Sequence, residues 1–498
     1  MGLREIGKEL MRSNWLSPRG LLKYSLVVIL TLAGYYVVSG SVVGFQALAL
    51  KSQVKEFSQE LKTGASANSE DATTAKISHS IKNLNATLTN PFWSPLTNHF
   101  LRGAQTEITL AAQLVRVAPN LLGAQSPKKY LLVFQNSAEA RGTGGIIGAY
   151  AEIQVYRGAM TVLKQGSNVA LKSLNEIPIA MPAEFVQLYG SDPAIWQNSN
   201  LSPHFPYGAQ IWLALWQKQY GEKLDGVIAV DPTALSYLLR ATGPVVLKSG
   251  EQITAANEVY KTLSEAYKTY ETNNDARKQY LVNIMNATFA KITAGQYSKI
   301  TMAKSMGDPI DQGRILVYST DPASEAILSK TRLGGFMSTA ANDEYRAVIQ
   351  NIDASKLDYY LSRSVSIKAL KCSVPRVTQV TMTVKNTLAS GEGLPQYVLT
   401  RSDLSRPETT MSGQHHFQVF VYGPTGSTLV VAQRSSVNGS PDKLGTERGR
   451  PVLVVDEDLA PLAGDVITAT FSGGVGPITY VDQPLVLSTA VSISDNCT

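Results

Sequence analysis

Between Tyr24 and Leu50 the chain carries no charged residue, and the centre of that stretch, LVVILTLAGYYVV, is apolar on every side of a helix. About 20 such residues cross the hydrocarbon core of a bilayer, whereas the apolar part of a secretory leader runs to about 7–15. The segment 25–48 is therefore read as one membrane span. Small residues at Ser39–Ser41 resemble a processing site, but apolar character continues through Phe45 and Leu50, which favours an anchor that is retained. Arg4, Lys8, Arg12, Arg19 and Lys23 precede the span. The positive-inside rule then leaves 1–24 in the cytoplasm and places the bulk of the chain outside the cell membrane.

A chain of 498 residues is too long for one ordinary core and suggests two or three domains. Its net charge of +6 is spread evenly, and no basic run is interleaved with aromatic residues, so no nucleic-acid partner is expected. The balance suits an anionic surface or a phosphate-bearing substrate. The two cysteines, Cys372 and Cys497, either form one disulfide that ties the tail to the start of the last domain or remain two buried thiols. His79, His99, His204, His415 and His416 show no ligand spacing, so structural zinc is not expected.

Three segments follow the span. Residues 49–126 read as a helical stalk: Ile77, Ile81, Leu84 and Leu88 recur at helical spacing, and the small polar stretch Gly64–Thr74 reads as a flexible link. Residues 127–361 alternate strand-like and helix-like runs, which indicates an α/β domain. From 362 to 498, short alternating runs are broken by turn residues about every ten positions, as in an antiparallel β-sandwich.

The most informative stretch lies at the head of the α/β segment. Tyr130–Tyr150, YLLVFQNSAEARGTGGIIGAY, reads as strand, loop and strand. The loop carries Asn136, Glu139 and Arg141, and Gly142, Gly144 and Gly145 would let its backbone adopt positive φ or approach a ligand. Farther on, Asp275, Arg277 and Gln279 open a helix, where backbone amides favour anions. Each feature also has an ordinary explanation: Glu139 and Arg141 can pair with each other, and Asp231 before Pro232 can cap a helix.

These stretches resemble the bacterial domain of unknown function 4012. The resemblance rests on YLLVFQNSAEARGTGG from Tyr130, NSNLSPHFP from Asn198, LDGVIAVDPTALSYLL from Leu224, TGPV from Thr242 and NIDASKLDYYL from Asn351. It marks Asn200 and His204 as candidate ligand-binding residues, although the family often has an acid where this chain has His204. The order of parts is similar, more remotely, to the LytR/CpsA/Psr cell-wall ligases, which implies a three-layer α/β core. Those enzymes move glycopolymers from a polyprenyl pyrophosphate carrier onto peptidoglycan, with arginines around the pyrophosphate and an acid-bound Mg²⁺. This chain departs from them in lacking an Arg-Ser-Asp triplet and a Ser-x-Pro-Arg-Asp segment, and in its Asp-x-Arg spacing at Asp275.

The resemblance implies a membrane-anchored phosphotransferase-like protein of the cell envelope, acting on a lipid-linked glycopolymer. The alternative is a non-catalytic envelope protein that binds cell-wall polymer or a protein partner. Phosphoryl transfer needs fixed positive charge where oxygens gain negative charge. Arg141 and Arg277 are the candidate catalytic clamp, with Glu139 as the acid and Glu139 and Asp231 as candidate Mg²⁺ ligands. Asn136, Gly144, Gly145, Asn200, His204 and Asp275 are the candidate ligand-binding residues. A hydrolase is disfavoured, because no Gly-x-Ser-x-Gly elbow or His-Glu-x-x-His helix occurs.

Overall fold

The computed structural model describes scattered positions between 48 and 63, then 66–88, 116–293, 299–389, 393–400, 412–435 and 443–497. The expected cytoplasmic segment and nearly all of the expected span lie outside these residues. Among the described residues no helix is long and apolar enough to cross a membrane. The chain divides into two compact units, 1–119 and 120–498. In the first, helix α1 (Ala67–Leu88) buries Ile77 and Ile81 one turn apart. It includes most of the stretch expected to be a flexible link, because Ala67, Ala72 and Ala75 are good helix formers and Glu70 and Asp71 lie near its amino end.

The second unit opens with a mixed sheet. Its strands are β1 (Lys128–Asn136), β2 (Ile146–Tyr156), β3 (Ala159–Ser167), β4 (Gly226–Val230) and β7 (Ile315–Ser319), in the order β3-β2-β1-β4-β7. Only β1 and β4 are parallel. Helices α2 (Ala183–Tyr189), α3 (Phe205–Tyr220) and α4 (Pro232–Thr242) lie between β3 and the two-stranded ribbon β5 (Val245–Val246) and β6 (Gln252–Ile253). After the ribbon come Glu258–Tyr260, a π-helical turn Lys261–Glu265 and Ala266–Thr269, and then α5 (Asn274–Thr293) and α6 (Lys299–Asp311). Leu131 and Val133 point to one face of the sheet, where α3 packs Ile211, Trp212 and Leu215 against them. Tyr130 and Leu132 point to the other, with Phe289 of α5. The period-2 alternation of a strand thus builds a helix–sheet–helix core.

Two five-stranded sheets complete the unit, β12-β15-β10-β9-β17 and β13-β14-β11-β8-β16. Their strands are β8 (Glu344–Asn351), β9 (Leu361–Lys371), β10 (Val377–Asn386), β11 (His415–Tyr422), β12 (Thr428–Arg434), β13 (Lys443–Glu447), β14 (Arg450–Leu459), β15 (Gly464–Ser472), β16 (Thr479–Tyr480) and β17 (Ala490–Ser494). On β11, Phe417, Val419 and Val421 face the sandwich interior, while Phe420 and Tyr422 join the core around α3. The β11-containing sheet is therefore buried on both faces. One apolar core runs from the mixed sheet through α3 into the sandwich.

Strand β8 pairs with β11. The sandwich therefore starts at Glu344 rather than at 362, and part of the stretch expected in the α/β domain belongs to it. Cys372 and Cys497 are joined in a disulfide between positions 125 residues apart, beside the parallel pair β9 and β17.

Candidate functional site

Strand β1 ends at Asn136, whose side chain starts the loop in two ways. Its Oδ1 accepts from the Ala138 amide at 3.1 Å, a local turn of the kind asparagine favours, and its Nδ2 donates to the Tyr267 hydroxyl at 2.7 Å. The loop then folds back on itself. A Cβ at Gly145 would lie 2.1 Å from the Asn136 carbonyl oxygen, and Gly144 has φ +132° with only 2.8 Å of room beside the Gln135 side chain. These two glycines are required by the loop's own packing, and Gly144 adopts the positive φ that a glycine permits.

Arg141 is buried, and its guanidinium is fully engaged. Nε donates to the Gln197 carbonyl and to Asn198 Oδ1 at 3.1 and 3.2 Å. Nη1 donates to the carbonyls of Ala140 and Asn351 at 2.8 and 2.9 Å, and Nη2 donates to Asn198 Oδ1 at 3.0 Å and Glu139 Oε1 at 3.3 Å. Burial pulls this guanidinium below its ordinary value, against the opposing charges of Glu139 and Asp358. The other Glu139 oxygen takes the Lys356 ammonium, which also donates to the Ala354 carbonyl at 2.8 Å. Burial lowers the Lys356 pKa, but Glu139 outweighs it and holds the amine protonated. Asp358 completes the group. It accepts from the Ala140 amide at 3.0 Å and Asn351 Nδ2 at 2.7 Å, and lies 3.3 Å from His415 Nε2. Two cations and two carboxylates thus neutralise one another inside the protein, as buried charges must.

In this arrangement the charges of Glu139 and Arg141 are engaged with each other, with Lys356 and with backbone carbonyls, at the wall of a cleft. Asp231 is likewise engaged: Oδ1 caps α4 through the Ala234 amide at 2.7 Å and Oδ2 pairs with Arg314 at 2.6 Å. With a cation on each acid, neither Glu139 nor Asp231 presents the donor set of a magnesium site. Among the described residues no group of three or more acid, histidine or cysteine side chains is placed to hold a metal.

The Arg277 guanidinium lies 4.4 and 4.5 Å from the rings of Tyr267 and Tyr397 and its Nη2 bonds Asn274; Tyr397 also faces the Lys356 ammonium at 4.8 Å, so Arg277 borders the Glu139 cluster. Asp275, two residues earlier, is exposed. Asn200 is fully buried and donates to Thr143 Oγ1 at 2.7 Å and the Gly145 carbonyl at 2.9 Å. His204 is buried between the rings of Tyr207 and Phe336 and accepts from the Met337 amide at 3.0 Å through Nδ1. Burial, then Arg448 and Arg346, push its pKa well below the ordinary value. Asn200 and His204 are thus held by internal contacts, with Asn200 Oδ1 buried and without a partner among the described residues.

The sequence reading missed Lys356, Asp358 and Gln483, whose Nε2 donates to the carbonyls of Arg141 and Ile349 at 2.7 and 2.8 Å. It also missed Glu258, fully buried against a cavity of about 80 Å³ beside the π-helical turn. Burial, followed by the charge of Asp231, pushes Glu258 well above the usual carboxylate range. The NIDASKLDYYL segment held a usable signal: a lysine and two aspartates among apolar residues rarely stay buried without partners.

On the outer side of the Glu139–Arg141 loop a cleft of about 700 Å³ separates the α/β elements from the sandwich. Its polar wall carries the amides Gln187, Gln197, Asn198, Gln350, Asn351 and Gln418, beside the paired Glu139 and Arg141 and the exposed Lys443. Asn198 Nδ2 and the side chains of Gln187 and Gln197 make no hydrogen bond among the described residues, and Gln350 Oε1, on a residue 1% exposed, has no partner. Asp192 adds an exposed carboxylate, and Leu201, Ile195 and Phe420 add apolar surface.

Residues 125–267 match the family described as a protein of unknown function (DUF4012). Among solved structures, the Lin1025 protein from Listeria innocua is 11% identical; the match covers 45% of this chain and 85% of that one, with a TM-score of 0.22. The transcriptional regulator yvhJ from Bacillus subtilis is 10% identical, with 44% and 84% covered and a TM-score of 0.21. No curated protein matches the chain.

Proposed function

We propose that this chain is a membrane-anchored, outward-facing envelope protein that binds an uncharged stretch of cell-wall glycan in the amide-lined cleft, without transferring a phosphoryl group. The anchor and the location rest on the charge-free stretch 24–50 and the basic residues before it. The binding reading is carried by one observation, the supply of unused amide groups in the cleft. A sugar hydroxyl both donates and accepts, and so does a carboxamide, whereas a transferring phosphate needs unspent positive charge. Arg141 has none to give, since acceptors on five residues occupy its donors. The volume lies within the roughly 300–1,000 Å³ of ligand clefts, and Leu201 and Ile195 can pack the C–H faces of a pyranose.

The test is calorimetry on the full chain in detergent with neutral tetrasaccharides of glucose and N-acetylglucosamine. The side chains of Gln187 and Asp192 make no hydrogen bond among the described residues, so replacing both with Ala spares the fold. At about 0.5–1.5 kcal/mol for each hydrogen bond, the double variant loses about 5- to 150-fold in affinity. Unchanged affinity in that variant, or no binding of any tetrasaccharide at millimolar concentration, refutes the reading. Transfer from a polyprenyl pyrophosphate donor that is lost in Arg277→Gln would restore the ligase alternative.

A further inference from the structure

A second cavity, of about 390 Å³, lies where the α/β elements meet the other end of the sandwich. Two guanidiniums line it. Arg332 follows Thr331 in a 3₁₀ turn, is exposed, and has no hydrogen bond or ion pair among the described residues. Arg346, on β8, is 7% exposed; its Nε pairs with Glu344 at 2.9 Å, its Nη2 reaches the Phe336 carbonyl at 3.4 Å, and its Nη1 has no partner among the described residues. Desolvation, and then the charge of Arg346, pull the Arg332 guanidinium below its ordinary value, against Glu344 and Asp311.

Each carboxylate nearby has a traceable environment. Glu344 Oε1 is shared, since Arg450 Nη2 also approaches it at 3.3 Å. Asp482 lies 3.7 Å from Arg363 Nη1 and accepts from Thr489 Oγ1 at 2.6 Å. Asp311, exposed at the rim, is the third acid and makes no ion pair among the described residues. Two guanidiniums and two carboxylates thus line the cavity, Asp482 is engaged by Arg363 and Thr489, and Arg332 makes no hydrogen bond to an acid among the described residues. The remaining wall is apolar and aromatic, with Phe336, Tyr480, Val491 and Ile493. Val491 and Ile493 are each 44% exposed, more than an ordinary edge strand needs to show.

We propose that this cavity binds a small organic anion, an oxyanion on an apolar body, with Arg332 and Arg346 forked onto its oxygens and the β17 side chains against its body. A guanidinium presents paired donors that match a carboxylate or a phosphate, and two of them at one cavity supply both charge and orientation. The site goes beyond the glycan cleft, shares none of the polar residues that carry it, and takes a ligand of opposite character. The oxyanion comes from one of two sources, a phosphate monoester or a carboxylic acid.

Phenyl phosphate, benzoate and neutral benzyl alcohol separate the possibilities in calorimetry on the full chain. At low salt one of the two anions binds at least tenfold more tightly than benzyl alcohol, and which one it is identifies the source. That preference shrinks at 0.5 M salt, as screening requires. Arg332→Gln removes it without moving the melting temperature, because Arg332 holds nothing else, and Arg332→Lys restores only part of it. Equal binding of anion and alcohol overturns the proposal, and so does a preference that survives Arg332→Gln. Neutral tetrasaccharide binding is untouched by Arg332→Gln, which keeps this test separate from that of the cleft.

Discussion

Replacing Lys356 with Met tests whether the Glu139–Arg141 loop is a structural joint. Methionine keeps the length of the side chain and its apolar stem but removes the ammonium bound to Glu139. The carboxylate, on a residue 4% exposed, then keeps only one 3.3 Å contact with Arg141, whose other donors are occupied. Breaking a buried pair by removing one partner costs about 3–5 kcal/mol. With unfolding entropy of about 2.1 cal/mol/K per residue, a unit spanning 120–498 changes by about 0.8 kcal/mol/K, so the melting temperature should fall by roughly 4–6 °C. The assay is thermal unfolding followed by circular dichroism. In Glu139→Gln/Lys356→Met no carboxylate is stranded, so the double variant loses less than the two single variants together. A fall under about 1 °C for Lys356→Met, or strict additivity, would refute the reasoning. By the same logic Arg141→Ala loses stability as well as any function, so loss of function in that variant alone is no evidence of catalysis.

Glu258 is neutral in the folded chain because burial raises its pKa, whereas an unfolded glutamate ionises near about 4.3. Its contribution to stability is full below that value and falls as pH rises, by at most about 1.4 kcal/mol per unit. Glu258→Gln should therefore flatten the melting-temperature profile between pH 5 and 8, and an unchanged slope would count against a neutral Glu258. His204 has the opposite sign: its depressed pKa means that stability is full above about 6.5 and lost as pH falls. His204→Gln should flatten the acid-side fall of the same profile, at the cost of a constant loss from the missing ring contacts. Reducing the Cys372–Cys497 bridge, which closes 125 residues, should cost about 4–5 kcal/mol. Unfolding with and without dithiothreitol measures that loss, and coincident curves would contradict it.

What the sequence revealed was local. The run from Tyr130 was legible as a strand because its residues suit a buried sheet, and Asp231 before Pro232 was legible as a helix cap, which it is. The pairing of Glu139 with Arg141 was visible as the ordinary reading of two opposite charges two residues apart. Lys356, which decides what that pair does, lies 217 residues from Glu139, and no periodicity spans such a gap. Strand β8 was assigned to the wrong segment for a similar reason. Seven of its eight residues are buried, so it lacks the alternation that marks a half-exposed strand. Glu258 was hidden by the π-helical turn, which shifts the helical register by which a buried face is recognised.

The bond from Gln483 to the Arg141 carbonyl spans 342 residues. At about 5–20 residues per second, a ribosome that has just made the loop needs roughly 17–70 s more to deliver its partner. The Arg314 guanidinium also waits, for the Leu485 carbonyl, and β9 waits for β17. The first sheet can form early, and Lys356, Asp358 and β11 join it to the sandwich first, but the bonds of Gln483 and Leu485 and the β9–β17 pairing wait for those residues. A nascent chain released before Gln483 therefore lacks this part of the seam.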